Sequence, residues 1–306
     1  MNKKLLTAFI AATLSITMLP TSKAEEVKPA TLAIIDTALN SNMPEIKNNI
    51  VYEICLLDWQ SCPNKTQFQE GSGAASMPLS QISANGFDHG TMMVSSAIQT
   101  NPNIKIVFVR FVGATLNGAR QVTNETSFIN ALTWVYINKD RFNIKAVSMS
   151  QGHHNLGTGT NYCPNTPLTN GIITKLTSAG IPVFLPAGNT KDLKKIDWPS
   201  CIPASTAVSA ATYGDGPANY TNYDSLLTDV FARGDLKVLS PNGTKSNQVG
   251  TSISTQVAAA SYISLANKYP TYTMQQLMDL LQSKTIPLVS RTIKGKLIDI
   301  TAVLNG

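Results

Sequence analysis

The chain has 306 residues, is 43% hydrophobic, and carries 24 Lys and Arg against 18 Asp and Glu, a formal charge of +6. That length suffices for one large core or two modest ones, and a single large core is the expectation. The basic balance does not indicate nucleic acid, because no cluster of Lys and Arg with interleaved aromatics accompanies it.

Lys3 and Lys4 precede an apolar run from Leu5 to Leu19 and a small-residue site, Ser22-Lys23-Ala24. This is the pattern of a secretory signal peptide over residues 1–24. The run is too short for a transmembrane helix, and no later one is longer, so stable membrane insertion is not expected. Cleavage after Ala24 removes three lysines and lowers the formal charge to +3. The mature chain, 25–306, reads as one domain with a secreted or periplasmic destination. Its four cysteines, Cys55, Cys62, Cys163 and Cys201, suit disulfides in an oxidising compartment. Three pairings are possible. Cys55 with Cys62 and Cys163 with Cys201 is preferred, since the first two lie close in sequence. Cys163 with His153 and His154 matches no zinc spacing, and no metal or other cofactor is expected.

Short runs rich in branched residues recur at Leu32 to Ile35, Ile104 to Val112, Ala146 to Met149, Ile181 to Leu185, Thr206 to Ala210 and Leu236 to Leu239. Most are continuously apolar, as strands of a parallel sheet buried on both faces are. Helical patterns fall between them at Met92 to Gln99, Ser127 to Asn138 and Thr169 to Ala179, the last stopped by Gly180-Ile181-Pro182. Two further helices, Ser252 to about Lys268 and Met274 to Leu281, close the chain, and the polar stretch Ser61 to Gly86 reads as a long surface loop. Alternating strand and helix predicts an α/β fold with a mostly parallel central sheet flanked by helices. Chemistry in such folds sits at the carboxyl ends of the strands.

Four polar residues stand at such ends or at helix starts. Asp36 ends the first strand in "TLAIIDTALN"; His89 precedes a helix in "GFDHGTMMVSSAI"; Asn189 lies on a turn in "VFLPAGNT"; Ser252 opens a helix in "QVGTSISTQVAAA". Each alone is an ordinary turn former or cap. Together they make a usable set. A serine hydroxyl needs an adjacent base, and the base needs a buried acid to fix its tautomer and stabilise its imidazolium. The helix dipole at Ser252 and the Asn189 amide can then hold a developing oxyanion. Ser254, Ala258, Ala259 and Ala260 let that helix pack closely beneath the nucleophile.

The order Asp, His, Ser, with "AIIDTALN", "DHGTMMVSSA" and "VGTSISTQVAA", resembles the subtilisin-like serine proteases, as do "VSMSQG", "PAGN", "YTNYDSLLTDVFARGD" and "DWPSCIPASTAVSAAT". The likeness runs from about Leu32 to Lys268. It implies the family's three-layer fold and a serine endopeptidase acting through an acyl-enzyme, with Asp36 as orienting acid, His89 as general base and acid, Ser252 as nucleophile and Asn189 as oxyanion donor. It also implies that Ser150, Gln151 and Gly152 form one wall of the pocket for the substrate side chain and Pro186, Ala187 and Gly188 the other, with an edge that pairs with an extended peptide. Two other readings keep the fold: a peptide ligase or cyclase that passes the acyl group to another acceptor, and a silent relative that only binds peptides.

Departures from the family pattern are Ala38 for the usual Gly, Val94-Ser95-Ser96 for Val-Ala-Gly, and Gln256 for Pro, the last expected to disturb the helix start. The helix after His89 leaves no room for the family's calcium loop, so no calcium is expected there. Only 11 residues separate the predicted cleavage site from Asp36, too few for a propeptide. A separately encoded folding or inhibitory partner is therefore an expectation, alongside protein or peptide substrates and a monomeric state.

Overall fold

A computed structural model describes residues 28–83, 86–121, 123–154, 157, 159 and 161–305. The predicted signal peptide lies outside the described residues. The elements in chain order are β1 (Thr31–Asp36), β2 (Ile50–Leu56), β3 (Phe68–Glu70), α1 (Leu79–Ile82), α2 (His89–Thr100), β4 (Lys105–Arg110), α3 (Glu125–Asn138), β5 (Ile144–Met149), α4 (Pro167–Ser178), β6 (Val183–Pro186), β7 (Thr206–Ala211), β8 (Thr228–Arg233), β9 (Asp235–Leu239), β10 (Lys245–Val249), α5 (Thr251–Lys268), α6 (Met274–Ser283), β11 (Thr285–Pro287), β12 (Lys296–Ile298) and α7 (Ile300–Asn305).

Ten strands form one sheet in the order β11-β12-β8-β7-β6-β5-β1-β4-β2-β3. Pairing is parallel from β12 through β8, β7, β6, β5, β1 and β4 to β2, and antiparallel only at the two edges. Strand β1 lies between β5 and β4, where the order reverses. The carboxyl ends of the parallel strands there border a crevice suited to a site.

Alternation within β1 explains its continuous apolar run. Leu32 and Ile34 join the core under α2, α5 and α6, whereas Ala33 and Ile35 join the core under α3 and α4. Both layers are dry, and each buried Leu or Ile contributes about 1.5–3 kcal/mol. Helix α5 runs through the first layer, with Ala258, Ala259 and Ala260 fully buried.

Sequence and structure differ in four places. The stretch Ser61 to Gly86 is not all loop but holds β3 and α1. The run Leu236 to Leu239 belongs to β9, which pairs antiparallel with β10 in a separate two-stranded ribbon. Strands β2, β8, β11 and β12 are additional members of the sheet. Finally, α5 begins at Thr251 despite Gln256, so the missing Pro does not displace the helix start. The ribbon is tied to α2 by Ser95, whose hydroxyl accepts the Leu239 N–H at 2.9 Å.

Disulfides join Cys55 to Cys62 and Cys163 to Cys201, the preferred pairing. Among the described residues no helix is long and apolar enough to cross a membrane.

Candidate active site

The carboxyl end of β1 places Asp36 at zero exposure. Its Oδ1 accepts the Thr37 N–H at 2.7 Å and lies 2.8 Å from His89 Nδ1. Thr37 does more than continue the chain. Its hydroxyl donates to Phe87 O at 2.8 Å and accepts the Gly90 N–H at 2.9 Å, clamping the start of α2 to the end of β1. The close approach requires glycine at 90, because a Cβ there would stand 2.5 Å from Ala38 O. His89 is thus held by its own helix start and by a buried carboxylate. Its side chain keeps 24% exposure, so the rest of the ring faces the crevice.

Helix α5 brings Ser252 to the same crevice. Ser252 is half-buried, whereas Thr251 and the residues from Ile253 to Ile263 are buried. The helix mouth is locked to the turn after β6. Asn189 Oδ1 accepts both the Thr251 N–H at 2.9 Å and the Thr251 hydroxyl at 3.0 Å. The same hydroxyl accepts the Gly188 N–H at 3.2 Å. With its oxygen committed, Asn189 has only its Nδ2 group to offer elsewhere, and that nitrogen lies beside Gly250 at the entrance of α5. Asn222 fixes the rest of the turn, its Oδ1 accepting the backbone N–H of Thr190 and of Asp192.

Ser150 follows β5, and its hydroxyl donates to Ser252 O at 3.1 Å and accepts from Gln256 Nε2 at 2.9 Å. Gln256, in place of Pro, therefore joins α5 to the segment after β5. The Gln151 side chain reaches Asp36 and His89. Its Nε2 lies 3.4 Å from both Asp36 Oδ1 and His89 Nδ1, and its Oε1 accepts from Arg120 Nη2. Gly152 packs on the Trp198 carbonyl, where a Cβ would stand 2.5 Å from the oxygen. On the other side Pro186 O accepts the Ser200 hydroxyl, Ala187 O accepts the Asp197 N–H, and Gly188 takes φ +111°, open to glycine.

The structure thus brings Asp36, His89, Asn189 and Ser252 to one edge of the sheet, with Ser150, Gln151 and Gly152 after β5 and Pro186, Ala187 and Gly188 at the end of β6 beside them. The pair Asp36 and His89 is bonded. Ser252 makes no hydrogen bond to His89; the Ser252 carbonyl accepts the Ser150 hydroxyl. Sequence reasoning missed Thr37, Asn222 and the anchoring role of Thr251. The signal for the two threonines was their position immediately beside the motif acid and the motif serine.

The chain matches the model of the Subtilase family over residues 28–297. It is 26% identical over 269 residues to Subtilisin of Bacillus pumilus, covering 87% of this chain and 86% of that protein. Against Subtilisin amylosacchariticus of Bacillus subtilis subsp. amylosacchariticus and Subtilisin J of Geobacillus stearothermophilus it is 25% identical and spans 62% of their length. Among solved structures, a cold adapted subtilisin-like serine proteinase superposes with a TM-score of 0.65 at 23% identity, over 89% of this chain and 88% of that one. The nisin leader peptidase NisP of Lactococcus lactis superposes with a TM-score of 0.68 at 15% identity, over 91% and 87%. These likenesses are in the fold. With a family match over nearly the whole described chain, this protein belongs to the subtilase family.

Proposed function

We propose that the chain is an exported serine endopeptidase that hydrolyses peptide bonds through an acyl-enzyme. The observation that carries this reading is the buried Asp36 carboxylate 2.8 Å from His89 Nδ1, at the same sheet edge as Ser252 on the mouth of α5. The signal-peptide pattern and two disulfides support export.

In this reading Ser252 Oγ attacks the scissile carbonyl carbon while its proton passes to His89 Nε2. Asp36 holds the ring by Nδ1 and stabilises the imidazolium. The oxyanion is met by Asn189 Nδ2 and the Ser252 backbone N–H, donors already oriented by Thr251 and by the helix start. The imidazolium then gives its proton to the leaving amine, the C–N bond breaks, and an ester on Ser252 remains. Water adds to the ester with His89 as base and releases the acid. The three-residue edge at Ser150, Gln151 and Gly152 pairs with extended substrate backbone.

The test is labelling of the purified protein with a fluorophosphonate. Labelling lost in both Ser252→Ala and His89→Ala is the expected result. A folded parent that remains unlabelled refutes the reading and leaves peptide binding without turnover.

A further inference from the structure

Between the two walls lies a segment that the reaction does not use. Asp197 N donates to Ala187 O at 2.8 Å, while Trp198 exchanges two backbone bonds with His153, at 2.9 and 3.2 Å. The segment is therefore hydrogen-bonded on one side to the wall ending in Gly188 and on the other to the residue after Gly152. It forms a floor across the gap between them. The floor touches both walls where they lack side chains. A Cβ on Gly152 would stand 2.5 Å from Trp198 O, and one on Gly188 would stand 2.4 Å from Asp197 Cγ and Oδ2. The Asp197 carboxylate thus lies against the backbone of Gly188, one peptide unit, about 3.8 Å, from Asn189. That places an acid beside the turn that carries Asn189.

We propose that Asp197 is a specificity-determining residue, and that the side chain before the scissile bond is lysine or arginine. This deepens the endopeptidase reading and rests on it. The carboxylate is 14% exposed, and burial raises its affinity for a proton, as expected of an acid short of a full cationic partner. Its described partners are the Asn222 amide at 3.0 Å and His154 Nδ1 at 2.6 Å, both on Oδ1. His154 also stands 3.9 Å from Asp192, and its ring is 37% exposed. The imidazole lies where a cationic side chain would dock, and a substrate ammonium or guanidinium replaces its contact with a stronger charge-assisted one. Lys195 is engaged by another partner, its Nζ donating to Gly157 O at 2.8 Å. A leucine or phenylalanine in the same place would leave the buried carboxylate facing apolar carbon, a costly arrangement.

The test uses a peptide p-nitroanilide series that differs only in the residue before the scissile bond: Lys, Arg, Leu, Phe and Glu. The parent is expected to favour Lys and Arg over Leu and Phe by about 30-fold or more in kcat/KM, with Glu the poorest. Asp197→Asn is expected to bring the Lys to Leu ratio within about 3-fold, and benzamidine to inhibit the parent but not the variant. Should the variant fold poorly, the parent's own profile and its benzamidine inhibition still decide. A parent that fluorophosphonate labels but that prefers Leu or Phe overturns the inference and leaves the endopeptidase reading standing. A folded parent that is neither labelled nor active overturns that reading, and the inference with it.

Discussion

Thr251→Val offers a sharp test of how the oxyanion donor is oriented, because it removes one hydroxyl and little volume. In the structure that hydroxyl donates to Asn189 Oδ1 at 3.0 Å and accepts the buried Gly188 N–H at 3.2 Å. The Thr251 N–H would still hold Asn189 Oδ1 at 2.9 Å, so the amide keeps one of two anchors. Losing the neutral bond costs about 1 kcal/mol and orphaning the Gly188 N–H another 1–3 kcal/mol, so stability should fall by roughly 2–4 kcal/mol. Removal of an entire oxyanion donor lowers kcat by about 10²–10³, and loosening one of two anchors should cost about 10-fold, or ~1.4 kcal/mol. In the proposed mechanism Asn189 acts on the oxyanion and not on the bound ground state, so KM should stay within about 2-fold. Thr251→Ser retains the hydroxyl and should hold kcat within about 3-fold of the parent. Steady-state rates on a fluorophosphonate-titrated preparation, with urea melts of all three proteins, supply the comparison. A valine variant as fast as the parent, or a serine variant as slow as valine, would refute the anchoring.

Three further outcomes follow from other parts of the chain. Gly90→Ala would force a Cβ to within 2.5 Å of Ala38 O and 2.8 Å of Phe108 Cζ. It should destabilise by about 3 kcal/mol and reduce kcat by displacing His89, as a melt and a rate assay would reveal. Burial pushes the Asp229 carboxyl up to about 6, with Ala207 N–H as its counterweight. A raised folded value means that the native state binds the proton more tightly, so its contribution to stability falls as pH rises from about 4 to 6. The residue's outer face is exposed, and solvent screening trims the effect to about 1 kcal/mol. Asp229→Asn should flatten that slope in melts across the window, and an unchanged slope would exclude Asp229 as its source. Among the disulfides, Cys163–Cys201 spans 38 residues and Cys55–Cys62 spans 7. On chain entropy, removing the first should cost about 4 kcal/mol and the second about 2 kcal/mol, and equal melting shifts for the two Cys→Ala pairs would contradict it.

The inner strands were legible because burial on both faces leaves a continuous branched run, as in β1 and β4. Strand β2 was not, since its centre holds Glu53, an acid that reads as loop. In the structure Glu53 is 3% exposed, and its carboxylate accepts the Gly73 and Ala75 N–H groups, capping the very stretch read as a long loop. Strand β9 was read correctly as extended and wrongly as part of the sheet, because pairing partners are a tertiary choice that "KSNQV" in β10 does not advertise. Asp36, His89, Asn189 and Ser252 were singled out through motif order, each motif being local. Asp197 was not, because its meaning depends on a return of the chain between two walls, and Gln151 reaches the acid and base only through side-chain extension. Order along the chain carries local chemistry well and convergence poorly.

Helix α5 buries 14 of its 18 residues and has no face given over to solvent. Ser252, carried on such an element, cannot open locally, since freeing it means dismantling the layer beneath the sheet. Amide hydrogens of α5 should therefore exchange at the slowest rates in the molecule, through global unfolding alone. His154, by contrast, is exposed and lies outside any helix or strand, so its contact with Asp197 can open while Ser252 stays in place. Warming would then erode the choice of substrate before it erodes the capacity to react, and a preparation close to its melting point would be less discriminating long before it was inert.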